Sequence, residues 1–138
     1  MKTNDPELIR ESIIAQEYYE KGMEHIMQKH FELAIVSFSK SIDISKHILN
    51  KGAYLNRGAA YLQIGMYQEA INDYTCNILN IHNLLTKEES IFRYTNLGYS
   101  YYKIGNYTNA KKCYKKVLNL DFNNADALEI ISQINIRS

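Results

Sequence analysis

The sequence predicts an all-α protein made of three similar helix pairs. A tyrosine followed by a glycine four residues later and by an alanine sixteen residues later occurs three times, at Tyr18, Tyr54 and Tyr94. Apolar residues near each copy recur at the three- and four-residue spacing of an amphipathic helix. The chain also has only one proline, Pro6, and six glycines, so few residues interrupt helices or bound strands. Together these observations favour a repeated helical unit.

Each copy places aromatic and small side chains at fixed positions, counted from residues 15, 51 and 91. Six positions recur, and they hold Tyr18, Tyr54 and Tyr94 at the fourth, Gly22, Gly58 and Gly98 at the eighth, His25, Tyr61 and Tyr101 at the eleventh, Phe31, Tyr67 and Tyr107 at the seventeenth, Ala34, Ala70 and Ala110 at the twentieth, and Phe38, Tyr74 and Tyr114 at the twenty-fourth. Small residues let two helices approach closely, and the rings fill the space around them. We therefore expect these positions to form the contact between paired helices.

Length and composition exclude several classes of protein. The 138 residues suffice for one domain, and 46% of them are apolar, so a continuous core is possible. A net charge of +1 does not predict a nucleic-acid binder, and no apolar run approaches the roughly 20 residues of a membrane span. The first ten residues are polar and do not resemble a secretory signal. Cys76 and Cys113 show no repeated pairing, so we expect an intracellular protein with free thiols.

The first predicted helix runs from about Pro6 to Gln28. Asp5 is a suitable N-cap, and proline is favoured at the first helical position. Its first two turns precede the first repeat and either cap the repeats or fold onto a neighbouring surface. The second helix begins near Phe31, and apolar residues continue its pattern as far as Ile48 and Leu49.

The second repeat begins with a helix from Lys51, followed by a turn at Gly65 and a helix from about Tyr67. The four residues from Thr86 to Glu89 form a predicted capping box, so the next helix starts near Lys87. A helix from Tyr107 completes the third pair. After Asn123 and Asn124, either of which could cap, apolar residues at helical spacing predict a seventh, closing helix.

This pattern resembles the tetratricopeptide (TPR) repeat, with Tyr in place of its Trp. The resemblance covers roughly residues 15 to 135 and implies a right-handed superhelix, or α-solenoid, of about seven antiparallel helices. It places repeats at 15–48, 51–84 and 91–124, an N-terminal helical extension at 1–14 and a capping helix at 125–138. The proline that usually ends such a repeat is absent, which predicts helices that overrun.

The resemblance also implies a concave groove built mainly from the first helix of each pair. Positions two, five, nine and twelve lie roughly 140° from the residues that face the partner helix. From these positions and the polar residues beside them we predict a partner-binding groove of Tyr19, Met23, Leu55, Asn56, Ala59, Gln63, Phe92, Asn96, Tyr99, Tyr102 and Lys103. Such a surface suits a peptide or helix of another protein, because exposed aromatic rings offer a large contact area at small entropic cost.

We therefore predict a protein-interaction module with an adaptor or scaffold role. An alternative is a self-associating structural protein whose groove is filled by a neighbouring chain, through the terminal helices. Another is that Met23, Ile26, Leu55 and Phe92 are covered by the chain's own terminal helix or by a second copy.

A third alternative is a co-chaperone that lacks the usual carboxylate clamp. TPR sites for the C-termini of Hsp70 and Hsp90 hold the terminal carboxylate with lysine, asparagine and arginine. The matching places here are occupied by Tyr19, Met23, Asn56, Phe92 and Asn96. Only Asn56 fits, and the cations that an anionic chain end needs are missing. The sequence therefore argues against this clamp.

Charge is distributed unevenly along the chain. Residues 1–34 carry seven acids and four bases, a net −3, whereas residues 91–138 carry seven bases and three acids, a net +4. The lysines at 111, 112, 115 and 116 either form a solvated outer face of one helix or attract an acidic partner, including a second copy.

No motif for catalysis, a metal or a cofactor is present. His25 and His30 are five residues apart, which does not place both on one helix face for a metal. There is neither a glycine-rich phosphate loop nor a Gly-x-Ser-x-Gly elbow. We expect a protein that is not an enzyme, has no cofactor, and binds neither nucleic acid nor a membrane interior.

Overall fold

A computed structural model describes residues 5–45, 50–76 and 85–137. These residues form seven helices and no strand: α1 (Pro6–Met27), α2 (Phe31–Ile44), α3 (Lys51–Gln63), α4 (Tyr67–Thr75), α5 (Lys87–Lys103), α6 (Tyr107–Leu120) and α7 (Ala125–Arg137). The predicted helix starts at residues 6, 31, 51, 67, 87 and 107 are confirmed. The predicted continuation of α2 to Ile48 and Leu49 lies outside the described residues.

The helix starts are fixed by side chains that accept hydrogen bonds from the first turn. Asp5 Oδ1 accepts from the amide of Glu7 at 2.9 Å, and Asn124 Oδ1 accepts from the amide of Ala127 at 3.0 Å. At α5 the predicted capping box is present, since Thr86 and Glu89 each bond the other's backbone amide. These bonds satisfy donors that have no partner within the helix. Gly65 and Gly105 lie in turns with φ near 80°, a conformation that other residues rarely adopt.

The helices form two compact units, one ending at Met66 and one beginning at Tyr67. Unit 1 contains α1, α2 and α3, and unit 2 contains α4 to α7. The second predicted repeat therefore contributes one helix to each unit. The repeat boundaries themselves remain a prediction.

In unit 1, α1 and α2 pack antiparallel. A Cβ on Gly22 would lie 2.5 Å from Phe38, and Ser41 Oγ donates to the carbonyl of Ala15 at 2.7 Å. Partner residues thus move toward the N-terminus of α2 as α1 advances. The core of this unit is formed by Ala34, Phe38, Ala53 and Ala60, all fully buried. The predicted close approach at positions eight, twenty and twenty-four is confirmed here.

Unit 2 repeats this arrangement. A Cβ on Gly98 would lie 2.8 Å from the Tyr114 ring, and Tyr114, Val117 and Ala127 form the core of α6 and α7. The residues at the fourth position of each repeat, Tyr18, Tyr54 and Tyr94, are only half-buried. A lysine or arginine side chain lies over each of these rings and covers part of its exposed face. The six positions therefore differ in depth, with the eighth, twentieth and twenty-fourth buried most deeply.

Candidate functional site

The predicted binding residues lie on α1, α3 and α5, the first helix of each pair. In unit 1 they are Tyr19, Met23, Leu55, Asn56, Ala59 and Gln63, and in unit 2 they are Phe92, Asn96, Tyr99, Tyr102 and Lys103. The structure gives these residues very different surroundings. Each unit's surface is described separately below.

Tyr19 is held between α1, α2 and α3 rather than presented freely to solvent. Its ring lies 5.7 Å from the Phe38 ring and against Gly52, and its hydroxyl accepts a hydrogen bond from Asn56 Nδ2 at 3.1 Å. Met23 is also half-buried and packs against the same core. Both residues therefore stabilise unit 1, and only part of each side chain is available to a ligand.

Leu55 offers a ligand almost no surface. Its side chain is 4% exposed, so we leave it out of the proposed binding surface. Spacing placed Leu55 beside Ala59 and Gln63, and those two residues are half-buried and exposed, respectively. A helical wheel gives a direction but does not show how deeply neighbouring helices enclose it.

Asn56, which alone matches the carboxylate clamp, has both amide hydrogens engaged within the protein. Its Nδ2 donates to Tyr19 Oη at 3.1 Å and to the carbonyl of Gly52 at 2.9 Å. An asparagine side chain has two N–H donors, so neither is left for a peptide carboxylate. The structure thus supports the conclusion that unit 1 lacks this clamp.

In unit 2, α5 presents two exposed residues of the predicted set, Phe92 and Lys103. The Phe92 side chain is 41% exposed, and Lys103 is exposed at the end of the helix. Tyr99 is half-buried and meets the Tyr67 ring edge-on at 6.5 Å, while the Lys103 ammonium lies 5.9 Å from the Tyr99 ring centre. This face combines apolar and aromatic surface with a single cation.

The closing helix partly covers Tyr102. The Tyr102 hydroxyl donates to Gln133 Oε1 at 3.2 Å, and the Arg137 guanidinium lies 5.8 Å from its ring centre. The ring also contacts Tyr107 at 5.5 Å. The closing helix therefore covers part of Tyr102, whereas Phe92, one of the residues that the alternative expected to be covered, is 41% exposed.

Asn96 bonds within unit 2. Its Nδ2 donates to the Tyr74 hydroxyl at 2.9 Å. Burial raises the pKa of Tyr74 well above its usual value, although this hydrogen bond acts in the opposite direction. Tyr74 therefore stays neutral and holds α4 against α5, and Asn96 has a structural role.

Sequence reasoning missed a buried arginine. Arg93 is 7% exposed; its Nε donates to the carbonyl of Tyr74 at 2.6 Å, and its guanidinium stacks 4.9 Å from the Tyr94 ring centre. In the sequence, Arg93 is one of the seven bases that give residues 91–138 a net charge of +4. Its neighbour Tyr94, at a packing position, was the one available signal that Arg93 lies beside a helix contact.

Within the described ranges, neither metal-binding side chains nor the Cys113 thiol forms a candidate reactive site. Residues 5–45, 50–76 and 85–137 contain no group of three His, Cys, Asp or Glu side chains that could hold a metal ion. Cys76 and Cys113 are not joined by a disulfide, and burial raises the pKa of the Cys113 thiol to about 11. A neutral buried thiol is a poor nucleophile. None of the helices formed by these residues has the length and apolar character to cross a membrane.

The fold of the described residues is that of a helical-repeat protein, in which helices pack in antiparallel pairs. Models of the tetratricopeptide repeat match residues 52–75 and 92–124, within the predicted second and third repeats. The protein is therefore a TPR protein with an all-α fold of that class.

Known proteins show the same relationship. Heat shock protein STI1 of Saccharomyces cerevisiae is 31% identical over 126 residues, which is 89% of this chain but only 20% of that protein. The chain thus spans about a fifth of this relative. The structure described as the first TPR of Spaghetti (RPAP3) bound to HSP90 peptide SRMEEVD has 26% identity and a TM-score of 0.76, covering 91% of this chain and 94% of that one. The Arabidopsis OM64 TPR domain superposes with a TM-score of 0.78 at 21% identity, over 93% and 99% of the two chains.

Proposed function

We propose that this TPR protein is an interaction module, with an adaptor or scaffold role, that binds a segment of a partner protein through the first helices of its repeats. The observation that carries this proposal is the α5 face, where Phe92 is 41% exposed and the half-buried Tyr99 follows on the same face two helical turns later. Large apolar side chains of this kind are the usual anchors of protein interfaces. The similar RPAP3 domain, which holds an HSP90 peptide, supports a peptide as ligand.

The chemistry of the proposed surface favours an apolar or aromatic peptide over an anionic chain end. Tyr19 and Phe92 stand where the clamp has lysines, and the donors of Asn56 are engaged within unit 1. Without those cations a terminal carboxylate would lose its hydration and gain no charge-assisted bond. We therefore propose Phe92, Tyr99 and Lys103 of unit 2 as the principal contacts of this peptide.

A displayed library of random peptides, selected on the purified protein, tests the proposal. Selected peptides are labelled and their affinity is measured by fluorescence anisotropy. Phe92→Ala should weaken binding by about tenfold or more, since interface anchors contribute roughly 1.4 kcal/mol or above. Phe122→Ala is the matched control, because Phe122 is 78% exposed in unit 2 but lies outside the first helices. Equal losses for both variants, or a loss for Phe122→Ala alone, would refute the proposal.

A second measurement tests the ligand class. The peptide SRMEEVD is compared with the same peptide carrying a C-terminal amide. We expect the free carboxylate to give no gain in affinity. A gain of about tenfold or more, the scale of a charge-assisted bond, would show that another cation replaces the clamp. The proposed intracellular setting is supported by two cysteines that are not joined by a disulfide.

A further inference from the structure

A second surface in unit 2 lies between α6 and α7. A cleft of about 350 Å³ opens there, and its lining residues are Tyr107, Thr108, Lys111, Lys112, Lys115 and Ile134. None of the eleven residues predicted for the partner groove lines it. Its volume is near the lower end of ligand pockets and admits a few side chains rather than a whole helix.

One wall of the cleft is a stripe of lysines. Thr108, Lys111, Lys112 and Lys115 are spaced i, i+3, i+4 and i+7, so they lie on one face of α6. Lys112 and Lys115 are exposed, and Lys111 Nζ donates to Asn135 Oδ1 of α7 at 2.7 Å. The amide is uncharged, so this bond fixes the Lys111 ammonium at the cleft without neutralising it. The lining residues that the structure describes include three cations and no carboxylate.

The neighbouring Lys116 differs, and the difference identifies which lysines face the cleft. Its ammonium lies 5.3 Å from the Tyr94 ring centre, and Lys40 at the same repeat position lies 5.4 Å from the Tyr18 ring centre. These two lysines cover packing tyrosines in their own units. The second repeat has no lysine at the positions equivalent to Lys111, Lys112 and Lys115. Ile71 stands at the position of Lys111 and Asn72 at that of Lys112.

The geometry points to this cleft as a docking site for an acidic segment of a partner protein that carries an apolar side chain among its carboxylates. Three ammonium groups on adjacent turns repel one another, and carboxylates placed between them relieve that repulsion. The half-buried Tyr107 supplies the apolar surface for the anchor residue, and Ile134, which is 2% exposed, closes the cleft without offering much surface of its own. The positive rim and this apolar surface together match an amphipathic acidic peptide.

The charge pattern favours a peptide over nucleic acid or a lipid surface. Those polyanions are usually bound by extended basic surfaces. This chain has a net charge of +1, and the three lysines of the cleft, Lys111, Lys112 and Lys115, form only a small basic surface. No arginine lines the cleft within the described residues, so the bidentate fork that suits phosphate is missing. Lysines act as point charges that suit single carboxylate oxygens.

The test uses the whole chain and a fluorescein-labelled peptide of sequence Glu-Glu-Leu-Glu-Glu-Leu-Glu-Glu with an amidated C-terminus. The amide removes any contribution from a terminal carboxylate. Anisotropy titrations compare wild type with Lys112→Gln/Lys115→Gln, and the charge-matched control is Lys29→Gln/Lys87→Gln, which removes two exposed lysines elsewhere. We expect about tenfold weaker binding for the cleft variant, which is the effect of losing two ion pairs, and less than twofold for the control. Wild-type affinity should fall as salt rises from about 50 to about 300 mM.

Amide chemical shifts in nitrogen-15 spectra locate the bound peptide. Changes centred on Thr108, Lys112 and Ile134 support the site, while changes centred on Phe92 and Tyr99 overturn it. The proposal also fails if a peptide with Gln for every Glu binds equally well, or if both double variants lose affinity equally. It fails too if an oligonucleotide or phosphatidylserine vesicles bind more tightly with the same lysine dependence. Salt-sensitive dimers in light scattering that vanish in the cleft variant would assign the cleft to a second copy instead.

Discussion

Gly22 and Gly98 set the separation of the helices on which they lie. The Cβ of any other residue at position 22 would be within 2.8 Å of three ring atoms of Phe38, which is itself fully buried and cannot move aside. Gly98 meets Tyr114 in the same way at 2.8 Å. One absent side chain thus permits the packing of two helices in each unit.

We predict that Gly22→Ala destabilises the protein by up to about 2 kcal/mol. Overpacking a filled core costs about 1 to 3 kcal/mol, and the gain of about 1 kcal/mol that alanine gives in a helix offsets part of that cost. Urea unfolding followed by circular dichroism measures the free energy. Gly52→Ala is the control, because its Cβ would lie 3.1 to 3.3 Å from the Tyr19 ring, a looser contact than the 2.5 to 2.8 Å at Gly22. A Gly22→Ala variant more stable than wild type would contradict the proposed packing.

Tyr19 shows why residue spacing alone does not predict which residues of the proposed binding surface are fully exposed. Its position on α1 points away from the partner helix, which suggested an exposed aromatic. In the structure its hydroxyl bonds Asn56 of α3, 37 residues later, and its ring contacts Phe38 of α2. Contacts between distant segments cannot be read from the periodicity of one helix. Truncating Tyr19 would therefore disturb unit 1 as well as any ligand.

Five of the helices begin with an N-cap side chain whose oxygen accepts a hydrogen bond from the first turn. Asp5, Asn50, Thr86, Asn106 and Asn124 each accept from an amide two or three residues later. Phe31 begins α2 without such a bond, since His30 provides no side-chain cap. The caps bind their own first turns, so they depend on local sequence only and were recognisable in it at Asp5 and Thr86.

We predict that Thr86→Ala lowers the free energy of unfolding by about 0.5 to 2 kcal/mol, the usual cost of a lost N-cap. Thr86 Oγ1 accepts from the Glu89 amide at 3.1 Å, and alanine leaves that donor without this partner. Thr86→Ser keeps the acceptor and should stay within about 0.5 kcal/mol of wild type. Hydrogen exchange should show the loss first in residues 87–90. Equal exchange in the alanine and serine variants would count against the cap.

Lysines at equivalent positions show how two helices of a pair are joined at their surface. Lys40 on α2 reaches Tyr18 on α1, and Lys116 on α6 reaches Tyr94 on α5. The second repeat has Cys76 there, so this contact is specific to the first and third pairs. The sequence shows the coincidence only after the tyrosine and lysine positions have been aligned.

At the scale of the whole molecule, several buried titratable groups lie in unit 2. Burial raises the pKa of Cys113 to about 11 and raises the pKa of Tyr74 and Tyr114 well above the usual 10. The folded protein therefore keeps these groups protonated at a pH where the unfolded chain releases its protons. Stability from these groups is complete below pH 9 and declines as pH rises above it.

We predict that the melting temperature falls steadily between pH 9 and pH 11, because the unfolded chain deprotonates Cys113 from about 9 whereas the folded chain does so near 11. Circular dichroism melts across this range measure the slope. Cys113→Ala should flatten the slope between pH 9 and 10, while the tyrosines maintain a decline above 10. A wild-type melting temperature independent of pH would show that these groups are solvated.

The sequence by itself determined the features that depend on neighbours within a few residues or on exact repetition. These are the seven helices of the described ranges, their caps at Asp5 and Thr86, and the Gly22 and Gly98 contacts, since each follows from a spacing or a side chain visible in the chain. Only the tertiary structure decided burial and pairing. It enclosed Leu55, engaged Asn56, buried Arg93 against Tyr74 and assembled the lysine cleft with Ile134, because these outcomes depend on which distant helix lies opposite.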